Sequence, residues 1–240
     1  MIYLKEMDVI FIKPRKVAGT SFEIALSEFA TERDIITPIS PEDEATRRAL
    51  GFRGAQNYLK APIEYSAGDL YRFLRRRVAP QKYFNHISAK QLRNKIGAKV
   101  FDNAKKISIV RNPFDRLVSL FHWRLKLQRP DEGIDFSEFL RQNPELLRLN
   151  YEHYFIDQRF ILNHTIKYET LLEDCKTVES EVPTLKGLSN SMKNINAKGG
   201  FRPKGRDLKD YFYEEDELVS AVKFFNREII DMFGYESPLK

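Results

Sequence analysis

Cysteine is almost missing from this sequence: Cys175 is the single one among 240 residues. Neither an intramolecular disulfide framework nor a multi-cysteine metal site can be built from it, and a reducing compartment is the natural expectation. Long apolar runs are missing too, none approaching the roughly 18 to 20 residues of a membrane-spanning helix. The stretch from Met1 to Asp8 carries Glu6 and Asp8 without a long apolar segment, so it does not read as a secretory leader. A cytoplasmic protein with no transmembrane segment is therefore expected. Internal repeats and low-complexity tracts are absent, and so is the Gly-x-x-x-x-Gly-Lys-Ser/Thr spacing of nucleoside triphosphatases. No ligand cluster has the spacing of a metal site, and no metal is expected.

What the chain does have is mixed charge with a basic balance, formally +6. That excess points to an anionic partner. Acidic residues are interspersed throughout and no regular basic and aromatic stacking pattern occurs, so nucleic acid is not the expected one. The length suits a single domain over residues 1–240, large enough to bury a continuous core.

Asp8-Val9-Ile10-Phe11-Ile12 is a continuous apolar run, as expected of a strand in a parallel sheet covered on both faces. Gly19-Thr20-Ser21 follows, and then Phe22, Ile24, Ala25, Leu26 and Phe29 recur at helical spacing. Residues 31–85 are broken repeatedly by Pro and Gly and read as an irregular or helical insertion, with one helix from about Gly68 to Val78. Further strands are predicted at Lys106–Val110 and Thr165–Tyr168. Ser88 caps a helix that runs to Ile96, with Gly97 beyond its end. A long helix starts at Asn112-Pro113, and two or three more occupy residues 135–163. Residues 186–207 read as a basic loop, and Glu214–Phe233 as an amphipathic helix turning Leu218, Val222, Phe225, Ile229 and Met232 inward. Strands alternating with helices predict an α/β fold, a three-layer core with a parallel central sheet flanked by helices.

Two constellations carry chemistry. In Lys13-Pro14-Arg15-Lys16-Val17-Ala18-Gly19-Thr20-Ser21, small residues between a strand and a helix start present backbone N–H groups, and the helix dipole adds positive charge. Thr20 and Ser21 add hydroxyls, and Lys16 adds a mobile charge. The same pattern also fits a plain turn beside solvated lysines. In Val110-Arg111-Asn112-Pro113-Phe114-Asp115-Arg116-Leu117-Val118-Ser119, Arg111 ends a strand, where open α/β sheets bind ligands. Its planar fork suits a phosphate, although capping a carbonyl or pairing with Asp115 would occupy it equally well.

Taken together, the two resemble the 5′-phosphosulfate loop and the 3′-phosphate motif of sulfotransferases that use 3′-phosphoadenosine-5′-phosphosulfate (PAPS), most of all the carbohydrate and heparan 2-O type. Tyr168-Glu169-Thr170-Leu171-Leu172-Glu173-Asp174 is similar to a further segment of that family, as is the end of the terminal helix at Phe233-Gly234-Tyr235. The resemblance implies a P-loop-like core, PAPS as co-substrate without a metal, and an acceptor hydroxyl on a glycan or glycolipid. It implies that Lys16, Ala18, Gly19, Thr20 and Ser21 hold the 5′-phosphosulfate, that Arg111 and Ser119 hold the 3′-phosphate, and that Lys198 and Arg202 in the basic loop fold over the nucleotide. One departure stands out. The family reads Pro-Lys-Thr before its small residues, whereas here Arg15 separates Pro14 from Lys16 and Val17 replaces the threonine.

Sulfuryl transfer places charge on the leaving oxygen, where Lys16 would act, and needs a base for the acceptor hydroxyl. His86 is the candidate base, in the place where the resembling enzymes carry a catalytic histidine; as a base it is expected to titrate near neutrality. It could equally be a histidine of no chemical role. His122 is second, and Glu23 and Glu169 are possible carboxylate bases, while His153 and His164 read as structural. Arg75-Arg76-Arg77 could attract an anionic acceptor or simply be a solvated helix face. Two other functions fit the composition: a non-catalytic nucleotide- or anion-binding α/β protein, and a P-loop phosphotransferase.

Overall fold

The structure is a computed structural model that describes residues 1–127, 133–195 and 205–239. Among them, strands β1 (Ile2–Leu4), β2 (Val9–Phe11), β3 (Ile35–Ile36), β4 (Lys105–Val110), β5 (Phe155–Ile156), β6 (Arg159–Phe160) and β7 (His164–Lys167) are formed. Helices α1 (Gly19–Leu26), α2 (Pro41–Ala49), α3 (Ala67–Arg76), α4 (Ala89–Ile96), α5 (Ala98–Asn103) and α6 (Pro113–Leu127) occupy the first half. The second half holds α7 (Phe136–Gln142), α8 (Tyr151–Tyr154), α9 (Leu171–Glu181), α10 (Leu188–Lys193), α11 (Asp216–Phe225) and α12 (Arg227–Phe233).

The main sheet has the order β3-β1-β2-β4-β7. Its three core strands β2, β4 and β7 are those expected from the sequence, and they pair in parallel, Phe11 beside Ile107 and Val110 beside Lys167. β1 runs the opposite way between β2 and β3. Neither β1 nor β3 is long enough for periodicity to reveal it.

The unbroken apolar run of β2 has a direct cause. Val9 and Phe11 point into a core with Phe22, Ile24 and Val178, whereas Ile10 and Ile12 point into a second core with Ile87, Leu92 and Phe101. Side chains alternate across a strand, so a strand with helices on both faces must be apolar at every position. The result is a three-layer α/β arrangement. Lys106, buried in β4, is satisfied because its Nζ donates to the carbonyls of Phe101, Asp102 and Ala104 at the end of α5.

Local signals at helix ends hold. Ser88 Oγ accepts from the Gln91 N–H, Gln91 Oε1 accepts from the Ser88 N–H, and Gly97 follows α4 at φ 94°. The terminal helix differs from expectation. It breaks at Asn226, whose Nδ2 donates to the carbonyls of Leu147 and Val222. Leu218, Val222 and Ile229 are buried as expected, but Phe225, the last residue before the break, and Met232 are exposed. The first part of the expected basic loop is also helical, as α10. Among the described residues, no helix is long and apolar enough to cross a membrane.

Candidate functional site

The carboxyl ends of β2 and β4 open on a cleft of about 670 Å³. Its floor is the loop from Lys13 to Ala18 and the first turn of α1. Lys16 and Ala18 both adopt the left-handed backbone region, at φ 63° and 61°. For residues other than Gly this costs about 1 kcal/mol or more each, and such strain persists only where surroundings enforce it. Ala18 is the N-cap and offers no side-chain acceptor. Backbone N–H groups of the first turn, which a helix cannot satisfy internally, therefore face the cleft, as an anion requires.

The enforcement comes from far along the chain. Asn150, buried, accepts from the Arg15 N–H and donates to the Arg15 carbonyl, both at 2.9 Å. Arg111 Nη1 donates to the Lys16 carbonyl at 2.8 Å. Gly19 is required for packing rather than for its torsions: a Cβ there would sit 2.9 Å from Lys13 Cγ. Lys13 cannot easily yield, since its buried Nζ is 2.5 Å from Glu23 Oε2. Glu23 also bonds the Met1 amino group. Burial opposes the Glu23 charge, but the two cations outweigh it and hold the carboxyl down near 2.

His86 lines the same cleft. Its Nδ1 is 3.1 Å from the Lys13 carbonyl oxygen, which can only accept, so Nδ1 carries the proton and Nε2 keeps its lone pair. Burial first, then the nearby Lys13 charge, pushes the imidazole down to about 3. His86 is thus neutral across the physiological range, which corrects the expectation of a titration near neutrality. Its carbonyl meets His153 Nε2 at 3.2 Å, and burial lowers His153 to about 4.

Arg111 does both things the sequence left open and still reaches the cleft. Nε donates to Asp115 at 2.7 Å, Nη1 holds the Lys16 carbonyl, and the guanidinium lies 4.0 Å from the Tyr168 ring centroid. Ser119, on α6, lines the cleft with it. Lys16 Nζ lies 5.3 Å from the Trp123 ring centroid. The structure thus brings together Lys16, Ala18, Gly19, Thr20, Ser21, His86, Arg111 and Ser119 around one cleft. Lys198 and Arg202 lie outside the described residues.

The alternative bases His122 and Glu169, and His164, which the sequence reads as structural, have other partners. His122 Nε2 is 2.6 Å from the Tyr211 hydroxyl in an aromatic cluster, and His164 Nδ1 is 2.6 Å from Glu181. Glu169 accepts from the Asn112 N–H at 2.8 Å and from the Tyr235 hydroxyl at 3.1 Å. That carboxylate ties together three stretches singled out in the sequence. Sequence reasoning missed Asn150 and Trp123. An asparagine 135 residues from its partner has no local signature.

The sequence pattern described as the sulfotransferase family matches residues 8–235. No curated protein matches the chain. Among solved structures, a sulfotransferase from Alicyclobacillus acidocaldarius is similar at 14% identity and a TM-score of 0.45, over 95% of this chain and 96% of that one.

Proposed function

The chain belongs to the sulfotransferase family, and from that premise we propose that it moves a sulfuryl group from PAPS to a hydroxyl of a glycan or glycolipid, residues 1–240 acting as one domain. The observation that carries this reading is the shared cleft, where an anion-binding helix start, a strand-end arginine and a neutral histidine converge. Backbone N–H groups of Gly19, Thr20 and Ser21 would take the 5′-phosphosulfate, and Arg111 with Ser119 the 3′-phosphate. Arg111 is suited to this because its other contacts hold the guanidinium in place before ligand arrives.

In the reaction, His86 Nε2 takes the proton of the acceptor hydroxyl as its oxygen bonds to sulfur. The bond from sulfur to the phosphate oxygen breaks, and its electron pair leaves with adenosine 3′,5′-bisphosphate. Lys16 and the α1 dipole meet the charge as it develops on that oxygen, where stabilisation lowers the barrier. Trp123, on the cleft wall with Arg124, offers a flat apolar face beside a cation, a combination that suits a sugar ring bearing acidic groups.

The test is incubation with sulfur-labelled PAPS and a panel of glycans, glycolipids and simple alcohols. Labelled glycan or glycolipid is expected. Tight binding of adenosine 3′,5′-bisphosphate with no transfer to any acceptor would instead support a non-catalytic binding protein.

A further inference from the structure

Helix α3 stands apart from the cleft and presents an unusual surface. Its inward side is short: Asp69 bonds Lys60 at 2.6 Å, and Phe73 meets the Tyr65 ring edge-on at 6.0 Å. The side turned to solvent is apolar. Leu70 is 50% exposed, Tyr71 62% and Leu74 58%, three positions on one arc of the helix. The arc is extended at both ends, by Ile63 at 96% in the preceding turn and by Val78 at 65% just past the helix. A capping box at Ser66 and Asp69 fixes the start of the helix, and Arg77, at φ 55°, ends it, so this face is held in shape.

Charge flanking the arc is of one sign: Arg75 and Arg77 are exposed beside it, while Arg72 and Arg76, also exposed, lie on the opposite side of the helix. The acidic residues of the segment are already committed, Glu64 to Lys82 at 2.5 Å and Asp69 chiefly to Lys60. Among the described residues, no carboxylate pairs with Arg75, Arg76 or Arg77. On the helical wheel the apolar arc lies between Arg75 on one flank and Arg77 on the other. A solvated helix face would explain the arginines but not the exposed Ile63, Leu70, Leu74 and Val78. A dry protein interface would explain the apolar residues but not the guanidinium groups of Arg75 and Arg77 on their flanks, which no carboxylate among the described residues neutralises and which an anionic surface would.

We propose that α3 and its flanking residues Ile63 and Val78 form a docking surface for an anionic lipid bilayer, with the apolar arc entering the headgroup boundary and Arg75 and Arg77 meeting lipid phosphates and carboxylates. Basic amphipathic helices bind interfaces in this way, through buried apolar area together with attraction to anionic lipid. The assignment does not depend on the sulfotransferase reaction. If that reading also holds, the surface would bring the cleft to lipid-borne acceptors.

Co-sedimentation of the whole protein with phosphatidylcholine vesicles, with and without phosphatidylserine, tests the surface. Binding to the serine-containing vesicles is expected, at least about tenfold above phosphatidylcholine alone and weakened by salt. Arg75→Gln/Arg77→Gln should lower partitioning by about thirtyfold. Leu70→Gln/Leu74→Gln should also lower it, at unchanged charge; because both positions are exposed, melting by circular dichroism should match the parent. Absence of vesicle binding overturns the proposal, as does equal binding to neutral vesicles. Binding that survives the leucine changes but not the arginine changes would be plain charge attraction and overturns it too. Concentration-dependent dimerisation abolished by the leucine changes, without vesicle binding, would assign the face to a second copy of the chain instead.

Discussion

The Nδ1 atom of His86 sits 3.1 Å from the backbone carbonyl oxygen of Lys13, the residue at the mouth of the anion loop. One hydrogen bond thus fixes both the tautomer of the candidate base and its position against the loop that would hold the donor. Because burial and the Lys13 charge keep the ring neutral down to about 3, its Nε2 lone pair is unprotonated at every pH above that.

The single-turnover transfer rate should therefore show no histidine step between about pH 5 and pH 8, only an acid fall below. His86→Ala should slow transfer by about two to four orders of magnitude while donor affinity changes little. Transfer by His86→Ala at parental speed in rapid quench would remove the base assignment; a step near pH 6.5 in the parent would refute the buried, neutral state.

Adenosine 3′,5′-bisphosphate should bind about ten- to a hundredfold more tightly than AMP, since charge-assisted hydrogen bonds to the 3′-phosphate are worth about 1.5–3 kcal/mol. Ser119→Ala should narrow the gap without disturbing the loop. Arg111→Lys should narrow it further, because one ammonium cannot replace contacts to Asp115, the Lys16 carbonyl and a phosphate together. Calorimetry that finds equal affinities for the two nucleotides would leave the 3′-phosphate assignment without a basis.

Lys16→Ala should lower turnover far more than it weakens binding of the spent nucleotide, because the charge it meets develops during transfer. Arg15, exposed and contacting Asn150 through its backbone, should tolerate alanine. Comparison of kcat with product affinity for both variants decides the register of the loop; a more harmful Arg15→Ala would shift it by one residue.

Gly19→Ala should destabilise the fold by about 1–3 kcal/mol, as overpacking against a fixed neighbour does. The new methyl would meet Lys13 Cγ, whose side chain is anchored on Glu23. Urea unfolding measures this, and a change below about 0.5 kcal/mol would show that Lys13 can swing aside.

Stability should fall as pH drops below about 6.5, the unfolded histidine value, toward the folded values of about 3 for His86 and about 4 for His153. Both folded values are depressed, so the unfolded chain binds protons first and acid favours it. Each histidine contributes up to about 1.4 kcal/mol per pH unit in that window. Urea titrations between about pH 4.5 and pH 6.5 should show the slope, and His86→Ala should reduce it.

Much of this protein was legible in its residue order because the physics involved is local. The continuous run Val9–Phe11, the small residues from Ala18 to Ser21, and Arg111 at a strand end each declare themselves within a few positions. Strand alternation and helix capping operate over that same range. The contact made at the Asn226 break was hidden because one of its partners, the Leu147 carbonyl, lies on another element. Asn150 gripping Arg15, the several tasks of Arg111, and the neutrality of His86 were likewise decided only by tertiary structure. Desolvation and long-range hydrogen bonds depend on which surfaces meet, and no spacing along the chain records that.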